Sequence, residues 1–312
     1  MSKVFTVFGA TGKQGGSVID AVLRNPELSK TYRLRGVTRD PTKGNALKLK
    51  EKGVEVVAGD QNDLASLRTA VRGSSAVFAV TNFFESMSGE TEFAQGKAMA
   101  DAAAAEGVEY FIASTLPNAA VVTNGALAHI DHFNSKAKIE EYARTLPFKS
   151  AFFWPAMFAQ EINGHDLIPK KQDDGTYALY CIWAPDSKVP LIDIVADTGK
   201  CVAQLLKDPE RWNGKRIYGA GGFYTPTEMA DILSKETGKT VKYVQLPDKV
   251  FTGFFPEPLQ EEFYEMFMLM RDWKYFGPEG KGAEAELADS HAAMDEKPTT
   301  FAEFVRKNKW FD

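Results

Sequence analysis

Cysteine is scarce in this chain of 312 residues, in which Cys181 and Cys201 are the only two. They do not form a C-x-x-C pair, so neither a disulfide framework nor a zinc site is indicated. Two isolated cysteines are typical of thiols that stay reduced. We therefore expect a cytoplasmic protein, with the nucleus as a second location.

Long hydrophobic runs are also missing. The first apolar run, residues 4–10, is not followed by a cleavage-type sequence and leads directly into glycines. The aromatic stretch 151–159 is interrupted by Pro155 and is far shorter than the roughly 20 residues that span a bilayer. Neither secretion nor membrane association is expected.

An excess of basic residues is absent as well. The chain has 37 Lys and Arg against 42 Asp and Glu, which gives a net charge of −5. Attraction to a phosphate backbone requires clustered positive charge. Direct binding to nucleic acid is therefore not expected.

The first half of the chain contains a regular alternation of apolar β-type runs and helical segments. The predicted strands are residues 4–8, 32–38, 54–58, 76–80, 110–113 and 150–153. The predicted helices between them are residues 15–24, 44–52, 64–71, 91–106 and 134–145. This order is typical of βαβ units, so it predicts an α/β fold with a doubly wound parallel sheet of the Rossmann type.

The alternation ends after the sixth predicted strand, where prolines and glycine-containing turns become frequent. We predict a Rossmann domain over residues 1–154 and a smaller C-terminal α/β lobe over residues 155–312. A helix at 194–207 and a strand at 216–218 favour a partly interleaved lobe, in which about residues 187–220 return to the first domain.

Two later segments carry local signals. Thr225, Pro226 and Glu228 have the spacing of a capping box with proline at the first helical position, which predicts a helix over 225–238. Residues 251–275 are rich in Phe, Tyr, Met and Trp. Core packing is the favoured interpretation of this segment, and a helical lid or an oligomer surface is the alternative.

A glycine-rich turn, GATGKQGG from Gly9 to Gly16, follows the first predicted strand and opens the first helix. Glycines permit a tight turn and a close approach of the backbone to a pyrophosphate, and the helix N-terminus offers free N–H groups. The spacing G-x-x-G-x-x-G favours the short-chain-dehydrogenase-like class. The residues assigned to a nicotinamide dinucleotide are Gly9, Thr11, Gly12, Lys13, Gln14 and Gly15. The alternative is a tight β–α turn without a ligand.

The end of the second predicted strand bears on the choice between NADP and NAD. NAD enzymes usually place an acid there against the ribose hydroxyls. In this chain Arg39 can bind a 2′-phosphate with its guanidinium fork, and Lys43 adds a second positive charge. We therefore expect NADP(H) rather than NAD(H), although Asp40 keeps NAD open and a solvated Arg–Asp turn is a further alternative.

Polar residues also follow the third and fourth predicted strands. Asp60 and Gln61 would lie near the adenine, although Asp60 can equally cap a helix. Thr81, Asn82 and Phe83 would lie beside the pyrophosphate and the nicotinamide ribose. The remaining residues assigned to the cofactor site are Ser114, Lys136 and Pro155.

The catalytic tyrosine of short-chain dehydrogenases is missing. Those enzymes place a Tyr four residues before a Lys, but here His132 stands four residues before Lys136. Both are candidate catalytic residues. His132 could shuttle a proton, with a packed or hydrogen-bonded ring as the favoured alternative. Lys136 is expected to contact the nicotinamide ribose, or otherwise to pair with Glu140 one turn on.

No metal site is expected. His129, Asp131 and His132 lie close together in the sequence, but no firm third ligand is placed by it. A dinucleotide site also needs no metal.

These motifs together resemble the NmrA-like family of atypical short-chain dehydrogenases over nearly the whole chain. The matching segments are residues 7–18, 37–39, 59–61, 80–82, 132–136, 174–177 and 212–217. The resemblance implies a protein that binds NADP(H) or NAD(H), commonly lacks the catalytic tyrosine, and reports cofactor status to partners such as transcription factors. In that family the residues matching the glycine turn, Arg39, Thr81, Asn82 and Lys136 contact the cofactor.

The resulting hypothesis is an NADP(H)-binding regulatory or redox-sensor protein that acts through a protein partner, with an oligomer as one option. The alternative is an NADPH-dependent reductase of a small aromatic or quinone-like substrate. Aromatic residues after the Rossmann strands would supply its apolar pocket. They are Trp154, Phe158, Trp183, Phe254, Phe255 and Phe263.

Overall fold

The computed structural model describes residues 2–164, 167–278 and 280–311. Its strands, in chain order, are β1 (Lys3–Val7), β2 (Tyr32–Thr38), β3 (Glu55–Ala58), β4 (Ala76–Ala79), β5 (Tyr110–Ser114), β6 (Lys149–Pro155), β7 (Met157–Phe158), β8 (Lys170–Lys171), β9 (Tyr177–Cys181), β10 (Val189–Ile192), β11 (Lys215–Gly219), β12 (Gly222–Tyr224) and β13 (Val241–Gln245). Seven of them form a parallel central sheet in the order β11-β6-β5-β4-β1-β2-β3. The strand order reverses beside β1, so the predicted doubly wound Rossmann fold is confirmed.

Helices cover both faces of this sheet. In chain order they are α1 (Lys13–Arg24), α2 (Pro26–Thr31), α3 (Gly44–Glu51), α4 (Leu64–Val71), α5 (Phe83–Ser86), α6 (Gly89–Ala105), α7 (Ala119–Val122), α8 (Asp131–Ala143), α9 (Ala159–Ile162), α10 (Ile194–Lys207), α11 (Pro209–Trp212), α12 (Pro226–Thr237), α13 (Asp248–Thr252), α14 (Gln260–Trp273), α15 (Ala283–Ala293) and α16 (Phe301–Lys307), with a 3-10 turn at Glu257–Leu259. Helix α1 packs against α10, and α6 packs against α4 and α8. The two groups lie on opposite faces of the sheet. Every crossover between parallel strands has the same hand, so connections that run in opposite directions from β1 place their helices on opposite faces.

Local side-chain caps set the starts of two helices in the first half. Helix α4 begins after Asp63, whose carboxylate accepts the N–H groups of Ala65 at 2.9 Å and Ser66 at 3.3 Å. Helix α6 begins two residues before the predicted position, because the Ser88 hydroxyl accepts the N–H of Thr91. Strands β4 and β5 are buried along their whole length, as expected for central parallel strands.

The chain after β6 builds two small sheets and also returns to the central one. The small sheets have the orders β12-β10-β7 and β13-β9-β8. After β10 the chain returns to the first half of the fold. Helix α10 packs on α1, where the Gly199 N–H donates to Ser17 Oγ at 2.9 Å, and β11 pairs with β6 of the central sheet. The division into a domain and a lobe at residue 154 stays a prediction.

Helix α12 begins at the predicted capping box, since Thr225 Oγ1 accepts the Glu228 N–H and the Glu228 carboxylate accepts the Thr225 N–H. The aromatic segment 251–275 divides between core and surface. Phe251 and Phe267 pack edge to face with ring centroids 4.7 Å apart, whereas Phe254 is 64% exposed. Among the helices of the described ranges, none combines the length and apolarity needed to cross a membrane.

Candidate functional site

A cleft of about 810 Å³ lies at the carboxyl edge of the central sheet, between residues that follow its strands and the aromatic face of α14. The predicted site residues that line it are Gly9, Thr11, Gly12, Lys13, Gln14, Gly15, Arg39, Asp60, Gln61, Thr81, Asn82, Phe83, Ser114, His132, Lys136 and Pro155. Lys43 is not among the lining residues, and its Nζ lies 3.7 Å from the Asp40 carboxylate on the exposed surface. The structure therefore brings every residue predicted for cofactor binding or catalysis, except Lys43, to one cleft.

The glycine turn is held tightly beneath the start of α1. Gly9 has a φ of +61°, and a Cβ there would meet Val80 Cγ1 at 2.7 Å. The Gly12 N–H donates to the Gly9 carbonyl at 2.9 Å. A Cβ on Gly15 would overlap that same carbonyl, so α1 approaches the turn as closely as glycine allows. No side chain caps the N-terminus of α1 in the described ranges, so its N–H groups and positive dipole end remain available to an anion.

Two buried side-chain atoms in the cleft test whether a dinucleotide fits. Gln14 Oε1 and Ser114 Oγ have no hydrogen-bond partner among the described residues, and both side chains line the cleft. An unpaired buried polar atom costs about 1–3 kcal/mol, so such atoms are normally paired. A ligand with many polar groups would satisfy them, and the residues present therefore fit a dinucleotide.

Arg39 extends from the end of β2 and forms an ion pair with Glu85 on α5. Both residues line the cleft. Asp40 does not line it, because its carboxylate accepts the N–H and the hydroxyl of Thr42 at 2.9 Å and 2.6 Å. These hydrogen bonds hold the pKa of Asp40 below its ordinary value. No local pattern indicates the contact between Arg39 and Glu85, which lie 46 residues apart.

The turn after β3 is organised by its own polar groups. Asp60 accepts the N–H of Asn62 at 2.9 Å and its side-chain amide at 3.0 Å. Asp60 is not the cap of α4, because Asp63 has that role. Gln61 Nε2 donates to the Val80 carbonyl at 3.1 Å, which fixes this turn against the end of β4.

Lys136 belongs to a buried network centred on Glu92. The fully buried Glu92 carboxylate accepts from Thr81 Oγ1 at 2.7 Å and also binds Ser135 Oγ and Lys136 Nζ. Burial lowers the pKa of Lys136, and the negative charge of Glu92 opposes that effect only in part. No local sequence pattern marks Glu92 as a site residue, because α6, on which it lies, is far from α8 along the chain.

The expected alternative pairing of Lys136 with Glu140 is wrong. The buried Glu140 carboxylate instead accepts from Arg144 Nη2 and Arg216 Nε, each at 2.7 Å. It also accepts from Thr115 Oγ1 at 2.7 Å. The spacing of one helical turn is correct, but these three donors already bind the Glu140 carboxylate.

His132 is held by a carboxylate from α14. Glu262 accepts the backbone N–H groups of Asp131 and His132, each at 3.1 Å, and also binds His132 Nδ1. Burial by itself would raise the pKa of Glu262, but these hydrogen bonds and the charge of His132 outweigh it and lower that pKa. The hydrogen-bonded ring is the alternative that the sequence analysis favoured.

A second contact of the same kind lies outside the cleft. His129 Nδ1 and Glu265 Oε1 are 2.7 Å apart, and Glu265 also accepts the His129 N–H at 2.7 Å. Glu261 lies 3.4 Å from the same ring nitrogen. Hydrogen bonding to Glu265 raises the pKa of His129. Together with Glu262, these carboxylates attach α14 to the start of α8.

The other part of the cleft is aromatic and apolar. Its lining includes Phe84, Phe158, Leu167, Phe255, Phe263, Met266, Phe267, Met270 and Tyr275. Three residues expected in this pocket do not line it. Trp154 and Trp183 are buried in the core, and Phe254 points away into solvent.

Tyr275 is the only tyrosine that lines the cleft in the part of the chain that the structure describes. Its hydroxyl donates to the Pro155 carbonyl at 3.1 Å, and burial raises its pKa well above 10. A tyrosine with this environment is a poor proton donor. The Tyr–Lys arrangement of short-chain dehydrogenases is therefore not reproduced by Tyr275.

A doubly wound parallel sheet, a glycine-rich first turn and a cleft at the carboxyl edge define the class of Rossmann-fold proteins. A family model described as the NmrA-like family matches residues 1–305. An NmrA-like family domain-containing oxidoreductase of Aspergillus hancockii is 30% identical over an alignment that covers 99% of this chain and 96% of the relative. Another, of Aspergillus campestris, is 31% identical and covers 98% and 95%. The chain therefore belongs to the NmrA-like family.

Solved structures share the same fold at lower identity. NmrA, a negative transcriptional regulator in complex with NADP, has a TM-score of 0.81 at 22% identity, covering 98% of this chain and 95% of that one. The Citrobacter sp. triphenylmethane reductase complexed with NADP(H) has a TM-score of 0.75 at 20% identity, covering 98% and 99%. One fold thus serves a regulator and a reductase, so the site must decide the function.

Proposed function

We propose that this protein is a regulatory NADP(H)-binding protein that senses the state of the cofactor pool and acts through a protein partner such as a transcription factor. One observation carries the proposal. The cleft combines an intact glycine turn with a missing Tyr–Lys pair: His132 stands four residues before Lys136, and Tyr275, the only tyrosine that lines the cleft in the described residues, donates its hydroxyl to the Pro155 carbonyl. Complexes of NmrA with NAD and with NADP support the proposed ligand class.

The cleft residues have distinct roles in this proposal. The N–H groups at the start of α1 bind the pyrophosphate, and Arg39 binds the 2′-phosphate. Ser114 and Lys136 bind the nicotinamide ribose. The nicotinamide, when bound, would carry a hydride whose presence differs between the oxidised and reduced cofactor.

Helix α14 is the element through which occupancy would reach a partner. Its residues Phe263, Met266 and Met270 line the cleft, while Glu262 and Glu265 bind the start of α8. A ligand in the cleft therefore contacts α14, the same helix whose carboxylates bind the start of α8. A partner that recognises one position of α14 would respond to cofactor binding.

Calorimetric titration with NADPH, NADP, NADH and NAD tests the ligand. Arg39→Ala should lower affinity for NADP and NADPH about 10- to 100-fold, because it removes charged hydrogen bonds to the 2′-phosphate. It should not lower affinity for NAD and NADH, which lack that phosphate. Lys48→Ala is the control, since Lys48 is exposed on α3 and does not line the cleft. Failure of all four dinucleotides to bind the wild-type protein would refute the proposal.

Hydrogen exchange with and without NADPH tests the regulatory part. Amides of α14 should become more protected on binding, whereas those of α12, which is remote from the cleft lining, should not change. Light scattering and pull-down with nuclear and cytoplasmic extracts would then follow oligomer and partner binding. A cofactor that changes neither α14 nor any association contradicts a sensor role.

A second candidate function is an NADPH-dependent reductase of a small aromatic or quinone-like substrate. The aromatic part of the cleft favours it, and so do the names of the Aspergillus oxidoreductases and of the triphenylmethane reductase. NADPH oxidation in the presence of a quinone panel is the test. Turnover that is lost in His132→Ala and kept in His291→Ala, outside the cleft, would support this function.

A further inference from the structure

Arg39 and Glu85 form a bridge between two strands that flank the glycine turn. Arg39 follows β2 directly, and Glu85 lies on α5, which comes after β4. In the sheet β1 lies between β4 and β2, so the pair joins the connections on either side of the turn that follows β1. Both residues line the cleft, and they form an ion pair with each other.

The two side chains suit different forms of a dinucleotide. A guanidinium recognises a 2′-phosphate, whereas a carboxylate recognises the free ribose hydroxyls that NAD presents. The acid that follows Arg39, Asp40, is occupied by Thr42 and lies outside the cleft lining. Asp60 also lines the cleft, and its Oδ1 accepts from the backbone and side-chain amides of Asn62. The carboxylate that pairs with Arg39 is Glu85. Glu85 follows β4, whereas NAD enzymes usually place the ribose-binding acid at the end of the second strand.

We propose that Glu85 sets the selectivity between phosphorylated and unphosphorylated dinucleotides by competing with the 2′-phosphate for Arg39. This inference rests on the proposed dinucleotide binding. A 2′-phosphate must take the guanidinium from Glu85 and must then lie near a carboxylate of the same charge. A dinucleotide with a free 2′-hydroxyl leaves the ion pair intact. Glu85 thus lowers the preference for NADP that Arg39 alone would give.

The exposure of the pair limits the size of this effect. The side chains of Arg39 and Glu85 are 69% and 50% exposed, so water competes with their attraction. Replacing Glu85 by a 2′-phosphate as the partner of Arg39 therefore costs little free energy. The competition from Glu85 corresponds to a factor of about two to five in affinity. The protein can therefore still bind NADP while it discriminates less sharply than a site with Arg39 alone.

Glu85→Gln tests the competition, with the adenosine half-site probes 2′,5′-ADP and 5′-AMP titrated beside NADP and NAD. The variant should bind NADP and 2′,5′-ADP about two- to fivefold more tightly, and it should not gain affinity for NAD or 5′-AMP. Glu90→Gln is the matched control, because Glu90 is exposed, close in sequence and outside the cleft lining. It removes the same charge and should leave all four affinities unchanged.

A second background separates competition from a general loss of negative charge. In Arg39→Ala the guanidinium is gone, so adding Glu85→Gln should change the ratio of NADP to NAD affinity less than it does in the wild type. An unchanged or lower ratio in Glu85→Gln, or an equal gain for both dinucleotides, overturns the inference. If the wild type binds none of the four ligands, the proposed function fails as well.

Discussion

The Glu262 carboxylate on α14 caps the N-terminus of α8, where it accepts the backbone N–H of His132 at 3.1 Å and binds the ring Nδ1 of the same residue. One carboxylate thereby satisfies groups that a local cap residue would normally serve. Glu262 and His132 are only 8% and 7% exposed. The contact joins α14, which supplies part of the apolar cleft lining, to α8, so it affects both stability and ligand binding.

Glu262→Gln should lower the free energy of unfolding by about 2 kcal/mol, because charged hydrogen bonds are lost while their donors stay buried. Urea unfolding followed by circular dichroism measures it. Glu261→Gln is the control, since the neighbouring Glu261 side chain is 69% exposed, and it should cost less than about 0.5 kcal/mol. Equal costs for the two variants would show that the capping contact contributes nothing special.

The same contact should give stability a specific dependence on pH. The pKa of Glu262 is lower in the folded protein than its ordinary value of 4.5, so its contribution is fully present above that value and is lost as the pH falls below it. The difference in unfolding free energy between wild type and Glu262→Gln should therefore shrink as the pH is lowered below 4.5. A difference that stays constant or grows on acidification would contradict the assignment.

The elements that the sequence predicted correctly are those with local causes. The strands follow from apolar runs, and α12 starts at Thr225 because cap, proline and glutamate are adjacent in the chain. The glycine turn likewise carries its own signal, since Gly9 has a positive φ and Gly15 allows close packing within the same turn.

Two of the errors have distant causes. Helix α8 was expected to begin at residue 134 but begins at Asp131, because its cap is Glu262, which is 131 positions further on. The alternative partner proposed for Lys136 lay within its own helix, yet Lys136 binds Glu92, 44 positions earlier. Neither partner is visible in a local pattern, since only the packing of α14 and α6 against α8 brings these residues together. The same holds for Glu85 and Arg39.

Adjacent glycines of α1 should respond in opposite directions to alanine. A Cβ on Gly15 would overlap the Gly9 carbonyl and lie 2.8 Å from the Phe8 carbonyl, so Gly15→Ala should cost about 1–3 kcal/mol of stability. A Cβ on Gly16 meets only the Ala10 carbonyl, at 3.7 Å, so Gly16→Ala should stabilise by about 0.4–1 kcal/mol. Thermal and urea unfolding of both variants measure this. Destabilisation by Gly16→Ala would contradict the open space at that position.

Glu92 and Lys136 should show strong energetic coupling. Glu92 is fully buried and the Lys136 side chain is 12% exposed, so removal of one charge leaves the other buried without a countercharge. Glu92→Gln and Lys136→Met should each lower the unfolding free energy by about 3–5 kcal/mol. The double variant should lose at least about 1 kcal/mol less than the sum, because neither charge is then left unpaired.

The control for this double-mutant cycle is an ion pair on the same helix as Glu92. Lys97 and Asp101 form an ion pair on α6 at 2.7 Å, and their side chains are 42% and 29% exposed. Water screens that pair, so Lys97→Met and Asp101→Asn should couple by no more than about 0.5 kcal/mol. Equal coupling energies in the two double-mutant cycles would mean that burial does not strengthen the pair of Glu92 and Lys136 relative to the exposed pair. In that case Lys136 would be free to exchange Glu92 for a ligand at little cost, and the buried network would not hold its ammonium group in the cleft.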